Sequence, residues 1–189
     1  MTAAVHALAN EIAILALAKR DPSAFATVYD HYFAAVYNYV RYRVPDACQA
    51  EDLTAQIFER VLRNLGSFDS GNQAGFSAWL FTIARNLVTD TLRSQQRRRW
   101  FSLEQLGDQP QLLPLPEDQV IHSEMQDALL SALTVLTDRE RDLLALKFIV
   151  QMTNRRIAEV TGLSESNVGV ILHRSLAKLR GELRDQHEA

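Results

Sequence analysis

The chain has 189 residues, room for one ordinary domain or two small ones, and its 47% hydrophobic and 23% charged residues exclude disorder as a global state. A single cysteine, Cys48, excludes an internal disulfide and a thiol-based zinc cluster, and it fits a reducing cytoplasm. The net charge of -3 hides a segregation: residues 76–100 hold five Arg against one Asp, residues 101–142 two Arg against nine acidic residues, and residues 143–189 seven basic against five acidic ones. Two basic-leaning regions flank an acidic middle, and such local patches set the field a polyanion meets.

Apolar residues recur at helical spacing through most of the chain, without the alternation of a half-buried strand, so the expected class is all-α. The apolar run at residues 12–18 is too short to span a bilayer and lacks the basic start of a secretion signal. It reads as one face of a first helix, residues 7–19, and no membrane insertion is expected. Further helices are expected at residues 23–43, 50–65 and 76–97, with breaks at Asp21-Pro22 and Val44-Pro45.

The helix at residues 50–65 would bury Leu53, Ile57, Val61 and Leu65, leaving Asp52, Gln56, Glu59 and Arg63 on a continuous polar face, either solvated or a docking edge. The loop from Gly66 to Gly75 is small and hydrogen-bonding, able to enclose an extruded base or simply to connect, and it lacks the Lys and Ser/Thr of a phosphate loop. In the next helix, 100° steps send Phe76, Leu80, Ile83, Leu87 and Thr91 inward and gather Trp79, Thr82, Asn86, Thr89, Arg93 and Arg97 on the other side. Aromatic, amide and guanidinium groups in one stripe suit unpaired bases and phosphates, though a half-buried Trp79 beside a solvated basic helix end has the same pattern.

Between Trp100 and Ile121 the periodicity fails amid Gly107, Pro110, Pro114 and Pro116, which reads as an irregular linker. The expected division is residues 1–100, an acidic linker at 101–122, and a second helical domain at 123–189. There Leu143, Leu144, Leu146 and Phe148 belong to a supporting helix capped by Thr137 or Asp138, and a short helix at 153–160 precedes the Thr161-Gly162-Leu163 turn. Ser164 would cap a second helix with Val168, Ile171, Leu172, Ser175, Leu176 and Leu179 inward and Ser166, Asn167, Val170, His173, Arg174 and Lys178 outward or flanking. That outward face is shaped for a major groove, although its first two turns lack Lys and Arg and Gly169 weakens the helix by roughly 1 kcal/mol.

In order along the chain, these segments resemble the extracytoplasmic-function (ECF) group of sigma-70-type sigma factors. Residues 50–58, AEDLTAQIF, look like that family's region 2.2, and residues 76–86, FSAWLFTIARN, with Asp90 and Arg93 look like regions 2.3 and 2.4. Residues 136–148 and 157–174 resemble regions 4.1 and 4.2. The resemblance implies two small helical domains, a region 2 bundle and a region 4 helix-turn-helix, with no space between them for a region 3 domain. It also implies contacts with core RNA polymerase through Asp52, Gln56 and Glu59. The melted -10 element would meet Phe68, Asn72, Trp79, Asn86, Arg93 and Arg97. The duplex -35 element would meet Ser166, Asn167, Val170, His173, Arg174 and Lys178. An anti-sigma factor is a further partner that the resemblance allows.

The chain departs from the family pattern at Asn167, where many members carry Thr, at Gly169 and Val170, near which a basic residue is usual, and at Arg155-Arg156, which replace an acidic pair. The other reading of the same residues is a helix-turn-helix regulator whose first domain senses a signal or dimerises. An enzyme is not expected, nor a metal or cofactor: the five histidines are scattered and neither an HExxH motif nor a nucleophile elbow occurs.

Overall fold

The computed structural model describes residues 8, 10–44, 46–69, 75–102 and 135–187, with side chains at 98–102 and 185–187 outside the description. The described residues form helices and no strand. Helix α1 (Glu11–Ala18) buries Leu15 and Ala18 and receives the Tyr32 hydroxyl on its Glu11 carboxylate. The Asp21 side chain accepts the Ser23 amide at 2.9 Å and starts a 3-10 turn (Pro22–Ala24) that runs into α2 (Phe25–Arg43). That helix buries Phe25, Val28, Tyr32, Val36, Tyr39 and Val40 at spacings of three and four. It stops where Val44 becomes extended, the conformation a following proline demands.

Asp46 caps α3 (Ala47–Asn64) by accepting the Gln49 amide at 2.6 Å. Leu53, Ile57 and Val61 are buried as the periodicity predicts, and a 3-10 turn (Leu65–Ser67) carries Leu65 inward too. Helix α4 is longer than expected, running from Gly75 to Ser102 and so through the first two positions assigned to the linker. The rest of the expected linker lies outside the described residues.

The first described helix of the second unit is α5 (Asp138–Leu144), where Thr137 and Glu140 form a reciprocal capping box. The helix then widens into a π turn (Ala145–Ile149), a feature that apolar spacing does not encode. Helix α6 (Asn154–Thr161), capped by Thr153, ends at Gly162 with φ of 73°, where a Cβ would be strained. Ser164 accepts the Asn167 amide at 3.2 Å and opens α7 (Glu165–His187).

The two units share one hydrophobic core, with α2 packed on the π turn and α4 on α6. This widens the buried arc of α4 beyond the expected stripe. Phe76 and Leu80 are buried as expected, Ile83 and Leu87 only partly, and Ala78, Phe81, Ala84 and Val88 are buried in addition. Phe81 and Val88 lie about 80–100° further round the helix than Leu80, toward the side of Arg85, which meets α5.

The bridge between the units is polar at its centre. The Tyr39 hydroxyl donates to Asp142 Oδ1 at 2.6 Å, and Arg85 Nε donates to Asp142 Oδ2 at 2.5 Å. Both Tyr39 and Asp142 are buried. Nearby, the Arg43 guanidinium donates to the Asp138 carbonyl at 2.8 Å.

Candidate nucleic-acid interface

Helix α3 presents Asp52, Gln56 and Glu59 to solvent along one edge, and Arg63 extends that edge through a 2.5 Å ion pair with Glu59. Beside the edge lies an apolar strip that the sequence reading missed. Leu62 is exposed one step round from Glu59, and on α2 the exposed Tyr29 and Phe33 rings pack on Phe58. Period-3.6 patterns assign such residues to the core by type, so only packing reveals them.

On the opposite flank of the same edge, Arg60 reaches toward α4. Together with Ile83, Arg85, Asn86, Thr89, Asp90 and Arg93 it lines an open depression of about 370 Å³. Three guanidinium groups against one carboxylate make this hollow cationic, and Asn86 adds an amide that can donate or accept. The stripe expected on α4 is therefore real at Asn86, Thr89 and Arg93, and it gains Arg60 and Arg85, which the spacing on α4 alone could not supply. Arg97 is exposed one turn beyond Arg93 and does not line the hollow.

Two of the expected -10 residues are placed differently. Phe68 is 6% exposed, its ring against Phe76 at 5.4 Å and Trp79 at 5.3 Å, and its backbone carbonyl accepts from Lys19 Nζ at 2.7 Å. In this arrangement it props Trp79 and does not itself reach outward. Trp79 is half-buried between those rings, with part of the indole open. Thr82 spends its hydroxyl hydrogen on the Ala78 carbonyl at 2.8 Å. Asn72 lies outside the described residues.

On α7, Val168, Leu172 and Ser175 are buried, while Ser166, Asn167, Val170, His173 and Arg174 are all exposed on the other side. Lys178 is exposed too, but it donates to Glu140 on α5 at 2.7 Å, tying the helix to its support. Burial pushes the Glu140 carboxyl up, yet the bonds from Lys178 and from the Thr137 amide and hydroxyl outweigh it, so the group titrates below its usual range. Arg155 and Arg156, the departure from an acidic pair, both pair with Glu159, and Arg156 lies against Gly75 at the start of α4.

The family model for sigma-70 region 2 matches residues 28–98, and that for sigma-70 region 4 matches residues 126–179. The ECF RNA polymerase sigma factor SigW of Bacillus subtilis is 30% identical over 175 residues, covering 88% of this chain and 92% of that protein. The chain belongs to the ECF RNA polymerase sigma factors.

A second ECF sigma factor, BldN of Streptomyces coelicolor, is 34% identical over 165 residues, which are 87% of this chain but only 62% of BldN. In fold, this ECF sigma factor is similar to RpoE of Bartonella quintana in a co-crystal with the anti-sigma factor NepR (TM-score 0.68, 21% identity, 85% of this chain and 96% of RpoE). It is likewise similar to CnrH in complex with the cytosolic domain of CnrY (TM-score 0.67, 23% identity, 91% and 96%). The match to region 2 removes the reading of the first unit as an unrelated sensor or dimerisation domain. Among the described residues, no helix is long and apolar enough to cross a membrane.

Proposed function

We propose that this sigma factor docks on core RNA polymerase through the Asp52, Gln56 and Glu59 edge of α3, with Leu62 and the Tyr29 and Phe33 rings flanking the contact. The hollow between α3 and α4 takes the melted -10 strand, with Asn86 toward bases and Arg60 and Arg93 toward phosphates, while Trp79 offers a stacking face. Helix α7 reads the -35 duplex through Ser166, Asn167, Val170, His173 and Arg174. The working division remains residues 1–100, 101–122 and 123–189. The protein acts by binding in the cytoplasm, without catalysis or cofactor, and unpairing is offset by contacts that only a separated strand can make. An anti-sigma partner belongs to the same proposal, since RpoE of Bartonella quintana was solved with the anti-sigma factor NepR.

The observation that carries this reading is that a polar docking edge and a cationic hollow lie side by side on neighbouring faces of one helix, α3. Asn86→Ala combined with Arg93→Ala should reduce permanganate-reactive open complex by about tenfold while leaving polymerase pull-down intact. Asp52→Ala with Gln56→Ala should weaken the pull-down first. Equal loss in both assays for both pairs would overturn the division of labour.

A further inference from the structure

Arg85 lines the cationic hollow of the first unit and is at the same time the ion-pair partner of Asp142 in the second. Its side chain is 25% exposed and that of Asp142 3%, so the carboxylate is sealed in the bridge while the guanidinium still reaches the hollow. Asp142 has no other role in its own helix, since the capping of α5 is done by Thr137 and Glu140. Instead both carboxylate oxygens turn toward the first unit, one to Tyr39 and one to Arg85. A carboxylate presenting an oxygen to a guanidinium occupies the position that a phosphate oxygen takes in a nucleic-acid contact.

We propose that Arg85 is a phosphate-holding residue of the single-strand surface, and that Asp142 stands in for the phosphate when the two units are closed. Single-stranded DNA and the Asp142 carboxylate then compete for one guanidinium, so that closure takes Arg85 out of an otherwise open hollow and strand capture favours separation of the units. This rests on the assignment of the hollow to single-stranded DNA.

The test uses the full-length protein and a fluorescein-labelled 20-nucleotide oligothymidylate, a probe of phosphate contacts without sequence. Asp142→Asn should tighten binding by about tenfold, because the strand no longer has to displace a carboxylate from Arg85. Adding Arg85→Ala to Asp142→Asn should cancel the tightening and flatten the dependence of log K on log salt by about 0.7, the loss of one phosphate contact on a single strand. In parallel, dyes on Cys48, which is exposed, and on an Ala177→Cys substitution should lose transfer efficiency in otherwise wild-type protein when the oligonucleotide saturates it. Oligonucleotide binding that needs Arg93 but leaves transfer unchanged, or an Asp142→Asn protein that folds and binds no tighter, would overturn the competition. Binding insensitive to Arg93→Ala and Asn86→Ala would instead overturn the assignment of the hollow itself.

Discussion

At the scale of single residues, Tyr39 and Asp142 bear the greatest burden, because each is a polar group taken out of water and satisfied only by the other unit. Burial, reinforced by the Asp142 carboxylate and opposed by Arg43 and Arg85, pushes the Tyr39 hydroxyl well above the usual tyrosine range. A group held neutral in this way contributes stability that is complete below the unfolded-state pKa of about 10 and fades as pH rises beyond it. Tyr39→Phe strands one acceptor of Asp142 and should cost about 1–3 kcal/mol in urea unfolding at neutral pH. The gap between variant and wild type should narrow as pH climbs past about 10, because only the wild type must ionise a buried phenol there. Tyr32 and Tyr42, also raised mainly by burial, remain in the variant and keep part of the alkaline loss. A gap that widens at high pH would contradict this account of the bridge.

At the scale of elements, helix α7 contains a glycine in its second turn that its geometry does not need. Gly169 has no left-handed backbone, and a Cβ built there would meet only the Asn154 side-chain amide at 3.7 Å, an ordinary contact. Gly169→Ala should therefore stabilise the helix by about 1 kcal/mol and raise the melting temperature by roughly 2–4 °C. Gly162 is the contrasting case: its φ of 73° makes the turn between α6 and α7, and a side chain there is strained. If Gly169→Ala melts no higher than wild type, the backbone at that point is under a constraint that packing does not show. Within α4 the same scale explains why its burial exceeds the expected stripe, since the helix is covered from two sides at once, by α3 and by α6.

At the scale of the molecule, a compact chain of this length has a radius of gyration of about 16 Å, and α4, the longest described helix at 28 residues, is about 42 Å long. The -35 and -10 elements, by their labels about 25 base pairs apart, are separated by roughly 85 Å of duplex at 3.4 Å per pair. On the proposed assignment of the hollow to the -10 element and α7 to the -35 element, the closed arrangement falls short of that distance, so serving both together requires the bridge at Asp142 to part. Because one hydrophobic core runs through both units, the free protein should unfold in a single calorimetric transition. Two resolved transitions in the wild-type protein would show that the units are already independent.

Sequence by itself determined the helices to within a few residues, some of their caps and the families of outward residues, because these depend on neighbours three and four positions away. Ser164 as a cap, Thr137 as one of two candidate caps, Gly162 as the turn, and the exposed edge of Asp52, Gln56 and Glu59 were legible in that local way. Only the tertiary structure decided that Phe68 turns inward, that Arg60 joins Asn86 and Arg93 across two helices, and that the Asp142 side chain reaches from α5 to Tyr39 and Arg85. Those facts join positions as far apart as 39 and 142, and periodicity, which reports which face of a helix is buried, is silent on what buries it.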